Sequence, residues 1–424
     1  MITAVIGSGG REHALVWKLG LSPLVEEVIA IPGNPGIARE PGVTCVELDP
    51  GDAKSVTEHC VQRGVELVVI GPEAALMSGL ADRLRDHGID VVGPGKQGAV
   101  LEGSKAFAKE VMIAAGVPTA RFARVQSPEE VDRFIETWGD GALVVKVDGL
   151  AAGKGVIVCD SATEAREVAL RLLRERPFGS AGDALVLEER LQGVETSYIV
   201  LTDGERFAAL PTSQDHKRLL DGDQGPNTGG MGAFSPAPFV SRELAERIER
   251  EVIEPTLAEL RRRGIDFRGF LYAGLMLTEQ GPRVLEFNAR LGDPETQVLL
   301  ASLANDPVPL LRSAARGRLN PDGFGPERAA AVVVLAAEGY PVSPRKGDEI
   351  TGIEQAEALA GVKVFHAGTQ VQEDKLVTAG GRVLGVTAVG DSPETAVRRA
   401  YAGTELIRFA GMSLRQDIGK ALDP

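Results

Sequence analysis

The sequence predicts a multidomain chain of α/β and α+β class. A parallel-sheet domain comes first, an antiparallel α+β module follows, and a small α+β domain ends the chain. Three observations carry this. The first hundred residues repeat apolar strand, glycine-bearing turn and helical pattern with short connections, the signature of a parallel sheet covered by helices. From Ser104 the rhythm changes to short strands joined by turns. The 424 residues exceed one domain at roughly 150 residues each, and 43% hydrophobic with 25% charged residues is globular composition.

Taken in order, Ile2–Ile6 is an apolar run that meets Gly7-Ser8-Gly9-Gly10 and then a helical pattern through Leu19. Val28–Ile31 ends at Pro32-Gly33-Asn34-Pro35-Gly36, Val65–Ile70 at Gly71-Pro72-Glu73, and Val91-Val92 at Gly93-Pro94-Gly95. Ligands of such sheets sit beyond the carboxyl ends of the strands, where these glycine turns fall. A helix from Ser104 through Ala115 stops at Gly116-Val117-Pro118. Strands are expected at Leu143–Val147, Val156–Val158, Ala184–Glu189 and Thr196–Leu201. Gly- and Pro-containing sequence from Arg316 to Pro326 marks a further boundary. Beyond it Val332–Leu335 and Arg382–Val389 read as strands and Pro393–Ala402 as helix.

The balance of 46 basic against 60 acidic residues, a net charge of −14, argues against non-specific partners among nucleic acids and anionic membranes. The longest apolar run, Ala329–Ala337, is nine residues, far short of the roughly 18 that span a bilayer. Met1 leads straight into an apolar strand pattern, with no basic leader. Cys45, Cys60 and Cys159 lack metal spacing and read as buried thiols of a reducing compartment, so a cytoplasmic protein is expected. Its 51 glycines, about 12% against an average near 7%, imply tight turns or backbone lying close to ligands.

The first glycine turn is not a dinucleotide fingerprint. Gly7 and Gly9 fit G-x-G-x-x-G, but Glu12 occupies the third position and the second strand ends without an acid. Such a turn serves as structure, or holds a lone phosphate on free N–H groups aided by the helix dipole and Arg11. Asp148–Gly155 is no Walker A loop, since its glycine spacing is one short and Gly155 stands where Ser or Thr belongs. A glycine hairpin between strands, carrying Lys154 and preceded by Lys146, suits a lid over phosphates or an ordinary mobile turn. In Arg283–Asn288 alternation puts Glu286 and Asn288 on one face and Leu285 and Phe287 on the other. Oxygen ligands at i and i+2 suit a hard cation such as Mg²⁺, or a wet edge strand. The four glycines of Gly225–Gly232 fit backbone approaching a substrate.

Jointly these motifs resemble the glycinamide ribonucleotide synthetase (phosphoribosylamine–glycine ligase) family of ATP-grasp enzymes. The resemblance is carried by GSGGREHA at 7–14, PGNPG at 32–36, GPEAAL at 71–76, LEGSKAFAK at 101–109 and DGLAAGKGVIV at 148–158. It continues through TSQDHKR at 212–218, GPNTGGMGAFSPAP at 225–238, GFLYAGLM at 269–276, EFNARLGDPETQ at 286–297 and KVFHAGT at 363–369. It implies an N-terminal substrate domain at 1–103, an ATP-grasp domain at 104–325 with a lid at about 120–190, and a C-terminal domain at 326–424. The implied reaction joins glycine to 5-phosphoribosylamine through a glycyl phosphate, with ATP and Mg²⁺ or Mn²⁺; the partners are small molecules, and the sequence leaves the oligomeric state open, a monomer being favoured.

Site roles follow from the resemblance residue by residue. Lys105, Lys146 and Lys154 correspond to contacts with ATP phosphates. Glu188, Glu189 and Leu191 correspond to the strand and hinge whose backbone reads adenine, and Glu195 to the acid that accepts from ribose hydroxyls. Glu286 and Asn288 correspond to metal ligands. Asp215, Lys217, Arg290 and Asp293 line the meeting point of glycine and phosphoribosylamine, with Lys146, Asp215 and Arg290 catalytic. Gly9, Gly10, Arg11, Asn34 and Glu73 lie on the phosphoribosylamine side. One departure concerns the wider superfamily: Ala273–Leu277, on the strand before Glu286, lacks the metal-binding acid that many ATP-grasp enzymes carry there. The alternatives are an ATP-grasp ligase for a different carboxylate and amine, and a non-catalytic ATP-binding module.

Overall fold

The computed structural model describes residues 1–151, 155–320, 323–324 and 328–420. β1 (Ile2–Gly7), β2 (Glu27–Pro32), β3 (Val43–Cys45), β4 (Leu67–Ile70) and β5 (Asp90–Val92) form a parallel sheet in the order β3-β2-β1-β4-β5. Alternate residues of β1 enter two separate apolar clusters, Ala4 and Ile6 in one and Val5 in the other. Burial on both faces explains why these strands read as continuous apolar runs. β3 escaped the sequence reading because its three residues sit at the sheet edge with Thr44 exposed, giving neither an apolar run nor a clear alternation.

β6 (Phe122–Val125), β7 (Leu143–Val147), β8 (Val156–Cys159) and β9 (Leu185–Glu189) form an antiparallel sheet ordered β6-β9-β7-β8. Helices Pro128–Trp138 and Ala162–Glu175 cover one face, each capped by a serine, Ser127 and Ser161, that accepts a backbone N–H. Leu143, Val145 and Val147 enter the core beneath those helices. The strand's period of two therefore turns Val144 and Lys146 to the opposite face.

β10 (Val194–Thr202), β11 (Phe207–Ala209), β16 (Gly269–Thr278) and β17 (Gly281–Asn288) make a second antiparallel sheet, ordered β11-β10-β16-β17. A third sheet runs β12 (Gln214–Asp215), β15 (Gly232–Ser235), β18 (Ala329–Ala336), β22 (Arg382–Gly390), β19 (Val362–His366). Two hairpins, β13 (Arg218–Leu220) with β14 (Gln224–Asn227) and β20 (Thr369–Gln372) with β21 (Lys375–Thr378), stand apart. β12 and β15, which fall within the 104–325 span, thus pair into the sheet of the last hundred residues, Gly232–Ser235 lying antiparallel to Ala330–Val333. They are too short and glycine-rich to announce a partner a hundred residues away. Helix Glu295–Ser302 packs against that sheet and the first helix, Gly10–Gly20, and so brings Glu295 to where the domains meet.

No helix among the described residues is long and apolar enough to cross a membrane. Cys60 and Cys159 are buried free thiols, whereas Cys45, expected to be buried, is half-buried on the edge strand.

Candidate active site

A cavity of about 700 Å³ opens between the β6–β9–β7–β8 sheet and the β11–β10–β16–β17 sheet, with walls from all three domains. It is lined by Arg11, Glu73, Lys105, Lys146, Glu188, Glu189, Leu191, Glu195, Asp215, Lys217, Glu286, Asn288, Arg290 and Asp293, which the sequence had scattered over 280 positions. Gly9, Gly10 and Asn34 are not among its walls. Lys154 lies outside the described residues.

On one side the walls are strand faces. Lys146 Nζ is ion-paired with Glu188 and donates to the Leu285 carbonyl at 2.9 Å. That carbonyl is available because β17 bulges: Glu286 pairs with Gly274 but Val284 with Leu275, which leaves Leu285 as the extra residue. The bulge also corrects the strict alternation expected here, since Leu285 lines the cavity beside Glu286. Lys109, not singled out from the sequence, contacts Glu188 at 2.7 Å and donates to Thr119 Oγ1 at 2.7 Å. Its signal was the i, i+4 spacing from Lys105 on one helix. Glu188, expected at the adenine, thus spends its carboxylate on two lysines; they outweigh burial and hold it below the ordinary range. Lys105 donates to the Gly149 carbonyl at 3.3 Å. Asp148 ties the base of the glycine hairpin to the same helix by accepting from the Ala106 N–H at 2.8 Å.

Glu286 differs from its neighbours. Among the described residues its side chain makes no hydrogen bond or ion pair. Burial alone would raise its carboxyl, but Lys217, Lys146, Lys105 and Arg290 hold it below the ordinary value. Gly274 opposite makes room, since a Cβ there would stand 3.3 Å from Glu286 Cγ. An ionised, unpartnered carboxylate facing a cavity beside the Asn288 amide oxygen fits a divalent cation. No cluster of three acidic, histidine or cysteine ligands exists among the described residues. A bound ion would therefore need water or substrate oxygens to complete its shell.

The opposite side is crowded with opposed charges. Asp215 Oδ1 is buried without a hydrogen-bond partner among the described residues. Burial and then Glu295 push its carboxyl well above the ordinary range. A Cβ on Gly230, at φ +111°, would run into Pro294 Cδ and meet Asp215 Oδ1 at 2.7 Å, so this glycine is required by its backbone conformation and by close approach to Pro294 and a site acid. Asn227, Thr228 and Gly229 of the same run line the cavity, as expected for backbone near a substrate. Lys217 stands 3.4 Å from Glu195, the acid expected at ribose hydroxyls. Arg290 donates to Glu102 at 2.7 Å, to Asn288 Oδ1 at 3.3 Å and to the Leu291 carbonyl at 3.1 Å.

Sequence reasoning gave no role to Glu102, Tyr272, Glu295 or Arg382. Tyr272 donates to Glu295 Oε1 at 2.6 Å, and Ser197 approaches both. Arg382, from the C-terminal sheet, donates to the Gly229 and Asp293 carbonyls, both at 2.6 Å. Glu102, Tyr272 and Glu295 lay inside motifs already noticed, whereas Arg382 marked only the start of an expected strand.

The first glycine turn spends part of its hydrogen-bonding capacity on the protein itself. Two of its N–H groups are engaged: Gly9 donates to Glu12 Oε2 at 2.6 Å and Arg11 to Asp293 Oδ2 at 3.3 Å. The Arg11 side chain is held by Glu12 at 2.6 Å and the Leu291 carbonyl at 3.0 Å. Asn34 Nδ2 donates to the Ser8 and His366 carbonyls at 2.7 and 3.0 Å, while its Oδ1 accepts from Gly36 and Ile37. That amide has no capacity left. It docks the C-terminal domain, together with His13, whose Nδ1 accepts from the His366 N–H at 2.8 Å.

Three family models of one enzyme match in succession: phosphoribosylglycinamide synthetase N domain over residues 1–102, its ATP-grasp (A) domain over 103–296, and its C domain over 330–421. The chain is 47% identical to the phosphoribosylamine–glycine ligase of Rhodopirellula baltica, over 99% of this chain and 97% of that one. The crystal structure of phosphoribosylamine–glycine ligase from Thermotoga maritima superposes with a TM-score of 0.87 at 36% identity, over 99% of this chain and all of that one. A biotin carboxylase domain from Hydrogenobacter thermophilus, solved with MgADP, ADP and bicarbonate, shares the fold. Its TM-score is 0.74 at 18% identity, covering 97% of this chain and 91% of that one.

Proposed function

The chain belongs to the phosphoribosylamine–glycine ligase family, and from that premise we propose that it joins glycine to 5-phosphoribosylamine at the expense of ATP, yielding glycinamide ribonucleotide, ADP and phosphate. The observation that carries this reading is the continuity of one cavity. Lysines and apolar strand faces at one end meet acids and arginines at the other, with the unpartnered Glu286 between them.

A carboxylate is a poor electrophile, so the reaction needs two steps. A glycine carboxylate oxygen takes the terminal phosphoryl group of ATP, making that oxygen a leaving group. The amine nitrogen of phosphoribosylamine then attacks the carbonyl carbon, the C–O bond breaks, and phosphate departs. Lys105, Lys146 and Lys154 neutralise charge on the transferring phosphoryl oxygens. Val144, Val156 and Met276 offer apolar contact to adenine, the backbone at Glu188, Glu189 and Leu191 reads its edge, and Glu195 accepts from the ribose. Glu286 and Asn288 would hold Mg²⁺ or Mn²⁺, which when bound draws charge from phosphate oxygens.

Lys217, Arg290 and Asp293 position the two substrates. Asp215, with its raised carboxyl, accepts the proton that the attacking amine loses. Arg11 and Glu73 face phosphoribosylamine from the N-terminal sheet, and Gly9, Gly10 and Asn34 serve by shaping that wall. Closure of the lid keeps water from the acyl phosphate. The test is ADP formation with glycine, with phosphoribosylamine, and with both. An appreciable rate is expected only with both, and equal turnover with β-alanine in place of glycine would refute the glycine assignment.

A further inference from the structure

We propose that Lys109 is a positioning residue for the nucleotide: it neutralises Glu188 so that the charge of Lys146 remains available to phosphate. The inference rests on the ATP reading above.

The three groups are 2% (Lys109), 1% (Glu188) and 5% (Lys146) exposed, so solvent screens them from one another only weakly. They arrive from three elements. Lys109 is on helix Lys105–Ala115, one turn beyond Lys105. Glu188 is on β9, paired with Val144 of β7. Lys146, two residues further along β7, lies diagonal to Glu188 on the same sheet face. Each carboxylate oxygen has its own lysine, Oε1 facing Lys146 and Oε2 facing Lys109. Two ammonium groups around one carboxylate leave one positive charge in surplus.

The surplus sits at Lys146 because Lys109 is tethered elsewhere. Its ammonium donates to Thr119 Oγ1, and Thr119 in turn donates to the Val284 carbonyl at 2.6 Å. Among the described residues, Lys146 is held on the other side only by the bulged Leu285 carbonyl. A neutral carbonyl is a weaker partner than an anionic phosphate, so incoming phosphate oxygens can win that ammonium. Remove Lys109, and Glu188 becomes a buried carboxylate with Lys146 as its sole counter-ion. Phosphate would then have to break a buried ion pair to reach Lys146.

A merely structural tie between helix and sheet would disturb the whole pocket; the charge account predicts a loss confined to phosphate-bearing ligands. The experiment measures dissociation constants of MgATP and of adenosine for the full chain, Lys109→Met, and Lys109→Met/Glu188→Gln. Lys109→Met is expected to weaken MgATP about 10-fold or more and to leave adenosine within about twofold. The double variant, which again has one surplus charge, should recover MgATP affinity to within about threefold of wild type. If Lys109→Met does not fold, Lys109→Gln, which retains a donor for Thr119, supplies the same comparison. Unchanged MgATP affinity, equal losses of MgATP and adenosine, or a double variant no better than the single one would each overturn the inference. Failure of the wild type to bind ATP would bring down the ligase reading and this inference with it; any of the other results would bring down this inference alone.

Discussion

At the turn after β1 the Gly9 and Arg11 N–H groups are taken by Glu12 and Asp293, and the Asn34 amide is fully committed to backbone. On β17 the Glu286 carboxylate has no partner among the described residues, although four cations lie close enough to depress its pKa. Both regions carry glycines, a carboxylate and an arginine in a short stretch, and both read from sequence as ligand sites. Buried polar groups are normally satisfied, so one left open toward a cavity is reserved for something else. Composition located both regions; hydrogen-bond bookkeeping tells them apart.

The most severe way to break the contrast is Lys146→Met. Removing one fixed electrostatic donor from the nucleotide end should cut turnover about 100-fold or more in a folded protein. Near-normal turnover would move the chemistry away from β7.

Glu286→Gln should raise the Mg²⁺ concentration for half-maximal rate about 10-fold, and by more than Asn288→Ala does. The reverse order, in a titration of rate against Mg²⁺, would give the Asn288 amide a role beyond ligation.

Asn34→Ala tests the other region. It orphans the Ser8 and His366 carbonyls and two N–H groups, so stability should fall by about 1–3 kcal/mol, read in denaturant unfolding. A loss of phosphoribosylamine affinity with no loss of stability would instead put Asn34 against the substrate.

The smallest effect is a pH dependence. Burial lowers His366 to about 3 and His216 to about 4, from an ordinary value of 6.5. Below pH 6.5 the unfolded chain takes up protons that the folded chain refuses. The stabilisation is therefore complete above that pH and is lost as pH falls toward 4. The Tm should start to drop near pH 6.5, before ordinary carboxylates titrate. Replacing His366 by Asn should flatten that decline, and an unchanged slope would exclude it as the cause.

Much of the architecture was legible because it depends on local pattern. β1, β2, β4 and β7 fell where apolar runs placed them, and the helix from Lys105 was marked by its serine cap and terminal glycine. What stayed hidden depends on partners distant in the chain. β15 is a strand only because β18 pairs with it, β12 only because β15 does, and Arg382 is a site residue only because β22 points it at Gly229. The β17 bulge is invisible in an alternating sequence, yet it supplies the carbonyl that holds Lys146. The commitment of Glu12 and Asn34 to their own backbone was equally unreadable, since the same letters could have faced a phosphate.

The account turns on transfer of a phosphoryl group to glycine's own carboxylate before the amine attacks. Glycine labelled with ¹⁸O in both carboxylate oxygens, turned over with ATP and phosphoribosylamine, tests this by mass analysis of the released phosphate. A glycyl phosphate leaves one labelled oxygen in each phosphate, because the carboxylate oxygen that attacks phosphorus departs with it when the C–O bond breaks. Unlabelled phosphate accompanying labelled product would contradict the proposed route.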